Sequence, residues 1–235
     1  MSGATPAGAA GEQEAARWVR DMFGRVAHRY DLANHLLSLN VDRYWRAHTV
    51  RRLRPVLERP DARVLDLCCG TGDLLLALGA SRAMGTDFCH PMLTAARAKG
   101  ARFLFEADVL ALPLADASLD LVTVAFGFRN LANYERGLRE MHRVLRPSGV
   151  AAILEFSRPP NPAFNALYNF YSRRILPLIG GALSGSRDAY TYLPESVRKF
   201  PSGEHLAQMM RECGFERVEF ERLTMGIVAL HLGRR

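Results

Sequence analysis

The ten residues Val64-Leu65-Asp66-Leu67-Cys68-Cys69-Gly70-Thr71-Gly72-Asp73 restrict what this chain can become more than any other stretch. Val64, Leu65 and Leu67 form a short apolar run suited to a strand covered on both faces. Gly70 and Gly72 then allow a sharp turn and a close approach of backbone to a ligand. The apolar run over 74–79 opens a helix, whose first amide groups point into the turn. Strand, glycine turn and helix in this order begin an α/β unit that takes a nucleotide-like ligand at the carboxyl end of its strand.

The side chains discriminate between a dinucleotide and S-adenosylmethionine. A dinucleotide site wants a third glycine three positions beyond the second, where pyrophosphate meets the helix start. Three positions beyond Gly70 that place is held by Asp73, and its carboxylate, with Asp66 before the turn, opposes a doubly negative pyrophosphate. The same acids suit a methionine moiety that carries an ammonium and a sulfonium, while the helix amides receive its single carboxylate. Asp87 closes the next apolar segment about 20 residues on, the distance at which an acid grips ribose hydroxyls. A third acid, Asp108, ends the strand after that. S-adenosylmethionine is therefore the expected cofactor, held by Asp66, Gly70, Gly72, Asp87 and Asp108.

Before this core, helices are expected over 12–24, 31–39 and 43–57, with Pro55 and Pro60 at the hand-over. Residues 1–16 read as a disordered N-terminus, 17–60 as a helical cap and 61–235 as one α/β domain. Within it, strands over 63–67, 83–87, 102–107, 119–126 and 150–156 alternate with helices over 72–78, 91–99 and 133–145, which implies a parallel sheet. Pro147-Ser148-Gly149 reads as the turn into the fifth strand. Residues 157–201 break the alternation with prolines, glycines and aromatics, and read as a lid over the substrate, helical over 163–178. A helix over 203–213 and apolar runs over 215–220 and 226–232 complete the chain, the last two as an antiparallel pair.

The formal net charge of +7 raises nucleic acid or an anionic membrane surface as partners. The basic residues crowd before the core, among them Arg17, Arg20, Arg25, Arg43, Arg51 and Arg52, interleaved with Trp18, Phe23, Tyr30, Tyr44 and Trp45. Such a segment either lies on a bilayer or is an amphipathic cap with its arginines in solvent. Four cysteines fit neither a disulfide framework nor a zinc pattern, so no metal is expected and the compartment reads as reducing cytoplasm. No stretch is apolar enough to span a membrane. The histidines are scattered, and none is singled out as a general base.

Five sets of residues resemble the ubiquinone/menaquinone biosynthesis C-methyltransferase family: YDLANHLLSLNVDRYWR (30–46), VLDLCCGTGDL (64–74), VAFGFRNL (124–131), HRVLRPSGVAAILEFS (142–157), and the tail motifs LPLIGGALSG, AYTYLPESV and GIVALHLG. The resemblance implies a class I methyltransferase fold, a mostly parallel seven-stranded sheet with helices on both faces. It implies methyl transfer from S-adenosylmethionine to a ring carbon of a polyprenylated quinol, demethylmenaquinol or the methoxy-benzoquinol precursor of ubiquinone, in the cytoplasm or peripherally at the inner face of the membrane. Carried over by position, the cofactor contacts are Thr71, Asp87 and the Asp108-Val109 pair, with Ala125 where some relatives carry serine. Asp42 departs from the family, which has histidine there. Monomer and homodimer stay open.

A ring carbon becomes a nucleophile when the neighbouring hydroxyl, of pKa ~10, is ionised at a cost of about 4 kcal/mol at pH 7. A guanidinium nearby removes roughly 1 to 3 pKa units of that. Arg129, just past the fourth strand, is the candidate for this role, Asn130 for holding the ring, and Tyr190 in the lid for meeting it. Alternatively Arg129 pairs with Asp108 or Asp116 and only shapes the loop. A base-methylating enzyme is disfavoured, because Ala125-Phe126-Gly127-Phe128 replaces the Asn/Asp-Pro-Pro-aromatic clamp, and no nucleic acid is expected. Intact acids and glycines also disfavour a non-catalytic binding module.

Overall fold

The computed structural model describes residues 3–6, 8–27, 31, 35, 38–79, 82–171, 174 and 187–235, the side chains of 187–191 excepted. Strands β1 (Val64–Leu67), β2 (Ala83–Asp87), β3 (Phe103–Glu106), β4 (Leu119–Ala125) and β5 (Leu145–Phe156) pair in parallel. Strands β6 (Glu216–Leu223) and β7 (Val228–Arg234) are antiparallel to each other, and β7 runs antiparallel to β5. The order across the sheet is β3-β2-β1-β4-β5-β7-β6. Connections leave in opposite directions from β1 and β4, so a crevice opens at their carboxyl ends.

Eight α-helices are described: α1 (Glu12–Val26), α2 (Val41–Leu57), α3 (Asp73–Gly79), α4 (His90–Ala98), α5 (Tyr134–Val144), α6 (Pro162–Phe170), α7 (Arg187–Lys199) and α8 (Gly203–Glu212). Strand alternation divides the core in two. Leu65, Leu67, Val122 and Val124 face α5 and α8, where Leu138, Met141, Leu206 and Met210 cover them. Val64 and Leu121 face the other way, against Leu53 of α2, Leu75 of α3 and Ala96 of α4. Every one of these side chains is buried, which is why β1 and β4 read as continuous apolar runs.

The structure departs from the sequence reading in three places. Residues 3–6 are packed rather than disordered: Ala4 N donates to Leu131 O at 2.8 Å, and Lys199 Nζ donates to Thr5 O at 3.0 Å. The Pro147-Ser148-Gly149 segment is a bulge inside β5, whose pairing steps from Leu119↔Leu145 to Leu121↔Val150. Ser148 N and Gly149 O bond to the backbone of Arg235, so the bulge stays paired. The lid contains a second helix, α7, hidden from sequence reading by Pro194 in its interior. The expected helix over 31–39 lies mostly outside the described residues, as does the 163–178 helix beyond Tyr171.

Candidate active site

Asp66 and Thr123 are direct partners in the β1/β4 register, so their side chains leave the same face, and Thr123 Oγ1 donates to Asp66 Oδ1 at 2.6 Å. Burial raises the Asp66 carboxyl to about 7, against the Thr123 hydrogen bond and the Arg46 charge. Asp87 closes β2 and pins the glycine turn, accepting from Gly70 N and Cys89 N at 2.9 Å each. Burial again raises it, to about 6. The turn runs through positive φ at Cys68, Gly70 and Gly72. A Cβ on Gly72 would lie 3.3 Å from Ala96 Cβ, so this glycine serves the packing of turn on α4.

Two cavities meet at this turn. Gly70, Asp87, Asp108, Val109, Ala125 and Asn130 line the smaller. Asp108 Oδ1 accepts from Leu110 N at 2.9 Å and so starts the 3-10 turn Val109–Ala111. Asn130 Oδ1 is buried with no hydrogen-bond partner, an acceptor suited to a ligand donor. Asn130 lines the smaller cavity and not the larger one that Arg129 lines. The larger cavity, about 550 Å³, is lined by Asp66, Thr71, Ala125 and Arg129 on the sheet side and by Tyr168 and Tyr192 on the lid side. The side chain of Tyr190 lies outside the described residues.

Arg129 is buried, and its partner is neither Asp108 nor Asp116 but Glu155 of β5. Its Nη1 donates to Glu155 Oε1 at 2.9 Å and its backbone N to Oε2 at 3.1 Å. Nη1 also donates to Phe126 O, and Nε donates to Ser196 Oγ of α7 at 3.3 Å. The guanidinium lies over the Phe156 ring, 5.2 Å from its centre. Asp116 instead accepts from Arg143. Glu155 was missed in the sequence, although a lone acid closing an apolar strand is the signal that marked Asp66 and Asp87.

The cap meets the turn through a charged network. Asp42 accepts from Ser38 Oγ, pairs with His35 at 2.9 Å and is bonded by Arg46. Lys99 bonds Asp73, Asp31 and Thr71, and the Thr71 hydroxyl donates to Asp31. Asp73 therefore already has cations beside it, Lys99 and Arg46. His35, Asp42 and Asp73 converge from three segments to within 4.8 Å, a ligand-like group that sequence spacing does not reveal. Arg46 and Lys99 supply its positive charge. The four cysteines are free, and burial pushes the Cys68, Cys69 and Cys89 thiols up, so none is a poised thiolate.

A crevice at the point where the sheet reverses, a glycine turn held by Asp87, a buried acid at the end of β1 and an unsatisfied acceptor in the smaller cavity fit S-adenosylmethionine. The fold and site define a class I S-adenosylmethionine-dependent methyltransferase. A methyltransferase structure from Thermotoga maritima superposes with a TM-score of 0.68, covering 91% of this chain and 98% of its own at 20% identity. Residues 9–235 match the ubiE/COQ5 methyltransferase family, and the chain belongs to it. Demethylmenaquinone methyltransferases of Thermus thermophilus and Deinococcus radiodurans are 48% and 47% identical, over 91% and 94% of this chain and 100% and 94% of theirs. A ubiquinone/menaquinone biosynthesis C-methyltransferase of Geotalea uraniireducens is 40% identical over 92% of this chain and 96% of its own length.

Proposed function

We propose that this enzyme methylates a ring carbon of demethylmenaquinol to give menaquinol, with the prenyl tail of the substrate leaving through the mouth of the larger cavity. S-adenosylmethionine supplies an electrophilic methyl group when bound. Asp87 holds the ribose, the Asp108-Val109 turn and Asn130 hold the adenine side, and Asp66 stabilises the cationic methionine end. Gly70 and Thr71 shape the turn against which that end lies, and Ala125 leaves room between the two cavities. Arg129 receives the quinol oxygen and favours its ionised form. Because Glu155 balances its charge, this pull lies at the low end of the roughly 1 to 3 pKa units a guanidinium provides.

The observation that carries the reading is the common cavity of Asp66 and Arg129, about 550 Å³ and walled by lid aromatics, which accommodates a ring between methyl donor and guanidinium. The relatives at 48% and 47% identity, both demethylmenaquinone methyltransferases, favour the naphthoquinol over the benzoquinol. A substrate with a bilayer-dissolved tail puts the enzyme at the inner face of the membrane, reached from the cytoplasm. No helix among the described residues is long and apolar enough to cross it. The test is incubation with methyl-labelled cofactor and tail-free demethylnaphthoquinol or benzoquinol. Label is expected in the naphthoquinol ring, and transfer to neither ring sinks the reading.

A further inference from the structure

The structure assigns a membrane-docking face to the mouth of the larger cavity: we propose that Leu39, Leu167, Phe170 and Met225 enter an anionic lipid leaflet and open the cavity into it. The inference rests on the prenylated-quinol reading for its purpose, and on the following geometry for its place.

These four side chains are the most exposed large apolar groups among the described residues, at 78%, 63%, 61% and 64% of full exposure. Leu39 and Met225 also hold φ at 52° and 55°, the left-handed region that glycine fills without cost. A bulky side chain kept there and left in water gains nothing from the fold, so both strain and exposure call for a partner outside the chain.

The contributing elements adjoin one another. Trp45 Nε1 of α2 donates to Thr224 Oγ1 at 2.7 Å, which brings the start of α2 against the turn Thr224–Gly226 that displays Met225. On the other side of that turn, a Cβ on Gly226 would lie 2.7 Å from Pro160 Cδ, just ahead of α6. Helix α6 buries none of its residues. Asn165, Tyr168 and Asn169 line the cavity, and at 100° per residue Leu167 and Phe170 point the opposite way. Leu39, Thr224, Ile227 and Pro159 line the same cavity, so Leu39 itself and the segments that carry Met225 and lead into α6 border it, with Leu167 and Phe170 on the outer face of α6.

Charge selects the occupant. Exposed Arg158 and Arg198 line the cavity, and exposed Arg43 lies in the first turn of α2, four residues after Leu39; none of the three is ion-paired among the described residues. Apolar tips ringed by guanidinium groups match an anionic leaflet, whose headgroups meet the cations while its acyl region takes the tips. Helix α1 does not have this form. Its apolar stripe, Ala15, Val19, Met22 and Val26, is buried in the protein, which leaves a polar face of mixed charge, with Glu14 and Asp21 exposed beside Arg17, Arg20 and Arg25.

The test is flotation of the full chain with phosphatidylcholine vesicles containing a third phosphatidylglycerol. The triple variant Leu167→Ser, Phe170→Ser, Met225→Ser is expected to lose vesicle binding by about tenfold or more, whereas Arg17→Ser with Arg20→Ser and Arg25→Ser leaves most of it. Met225→Gly, which relieves the left-handed strain, is expected to weaken binding while its Tm stays level or rises. Methylation of vesicle-embedded long-tailed quinol should fall with binding in the triple variant, and methylation of tail-free quinol should not. Wild-type vesicle binding in the triple variant overturns the proposal, as does a self-associated wild type that the variant converts to monomer with vesicle binding unchanged. If wild-type protein methylates no quinol, the functional reading fails by itself, and the flotation result still decides the docking face.

Discussion

Arg129 and Glu155 make a buried pair whose value lies in placement. Glu155 accepts from Arg129 N and Nη1 and from Phe156 N, so one carboxylate fixes both the guanidinium and the backbone that carries it. Removing either charge alone leaves the other buried and uncompensated, a cost of about 3 to 5 kcal/mol. Glu155→Gln keeps the shape and offers an amide to donors that need an acceptor. We expect kcat to fall about tenfold or more, with cofactor affinity by calorimetry unchanged. Wild-type kcat in this variant would mean that Arg129 needs no clamp. Arg129→Lys should retain charge but lose the fork that reaches Glu155, Ser196 and Phe126 together, and so lose kcat without a change in cofactor affinity.

Asp66 and Asp87 set the pH response. Both carboxyls are raised by burial above their ordinary value of 3.8, to about 7 and about 6. The unfolded chain ionises them first, so their contribution to stability without cofactor falls as pH rises from about 4 to about 7 and is level above that. A cationic ligand reverses the preference, because it favours the ionised pair. The rise in Tm given by saturating S-adenosylmethionine should thus be larger at about pH 7.5 than at about pH 5.5, and Asp66→Asn should flatten the difference. A cofactor shift independent of pH in the wild type would show that neither acid titrates against the ligand.

At the scale of elements, the turn after β4 is fitted to the turn after β1. A Cβ on Gly127 would come 2.4 Å from Cys68 Cβ, a contact with no flexible end to give way. Gly127→Ala should therefore separate the two turns, lower stability by about 1 to 3 kcal/mol and weaken cofactor binding in calorimetry. Unchanged affinity would show that the turns move independently. The same contact marks where sequence reading stopped. The strands were legible because β1 and β4 are buried on both faces, and the acids that close β1 and β2 were legible because a charge at the end of an apolar run has few bland explanations. Gly127 against Cys68, Glu155 beneath Arg129 and Ser196 reaching back from α7 join segments 26 to 67 residues apart, and no local period encodes them. Helix α7 was missed because Pro194 normally ends a helix, and the β5 bulge because Pro-Ser-Gly normally turns the chain.

For the molecule as a whole, the question is whether the helices before residue 60 form a separate unit. Trp45 argues that they do not. It is buried at the centre of an aromatic group with Phe126 after β4 and Phe156 at the end of β5, with ring centres 5.8 and 6.3 Å away, and its indole N–H bonds Thr224 beyond β6. One side chain of α2 thus touches three segments that the sheet brings together only when it is complete. Leu53 of α2 packs into the same apolar cluster as Val64, Leu121 and Leu230 of the sheet. Helices that share a core with the sheet gain most of their stability from it and melt with it. Trp45→Ala should cost about 3 to 5 kcal/mol and lower the temperature of a single calorimetric transition. Two resolved transitions in the wild type, with only the lower one moved by Trp45→Ala, would instead describe a cap that folds by itself. In that case the larger cavity would open whenever the cap melted, and cofactor binding should raise the lower transition alone.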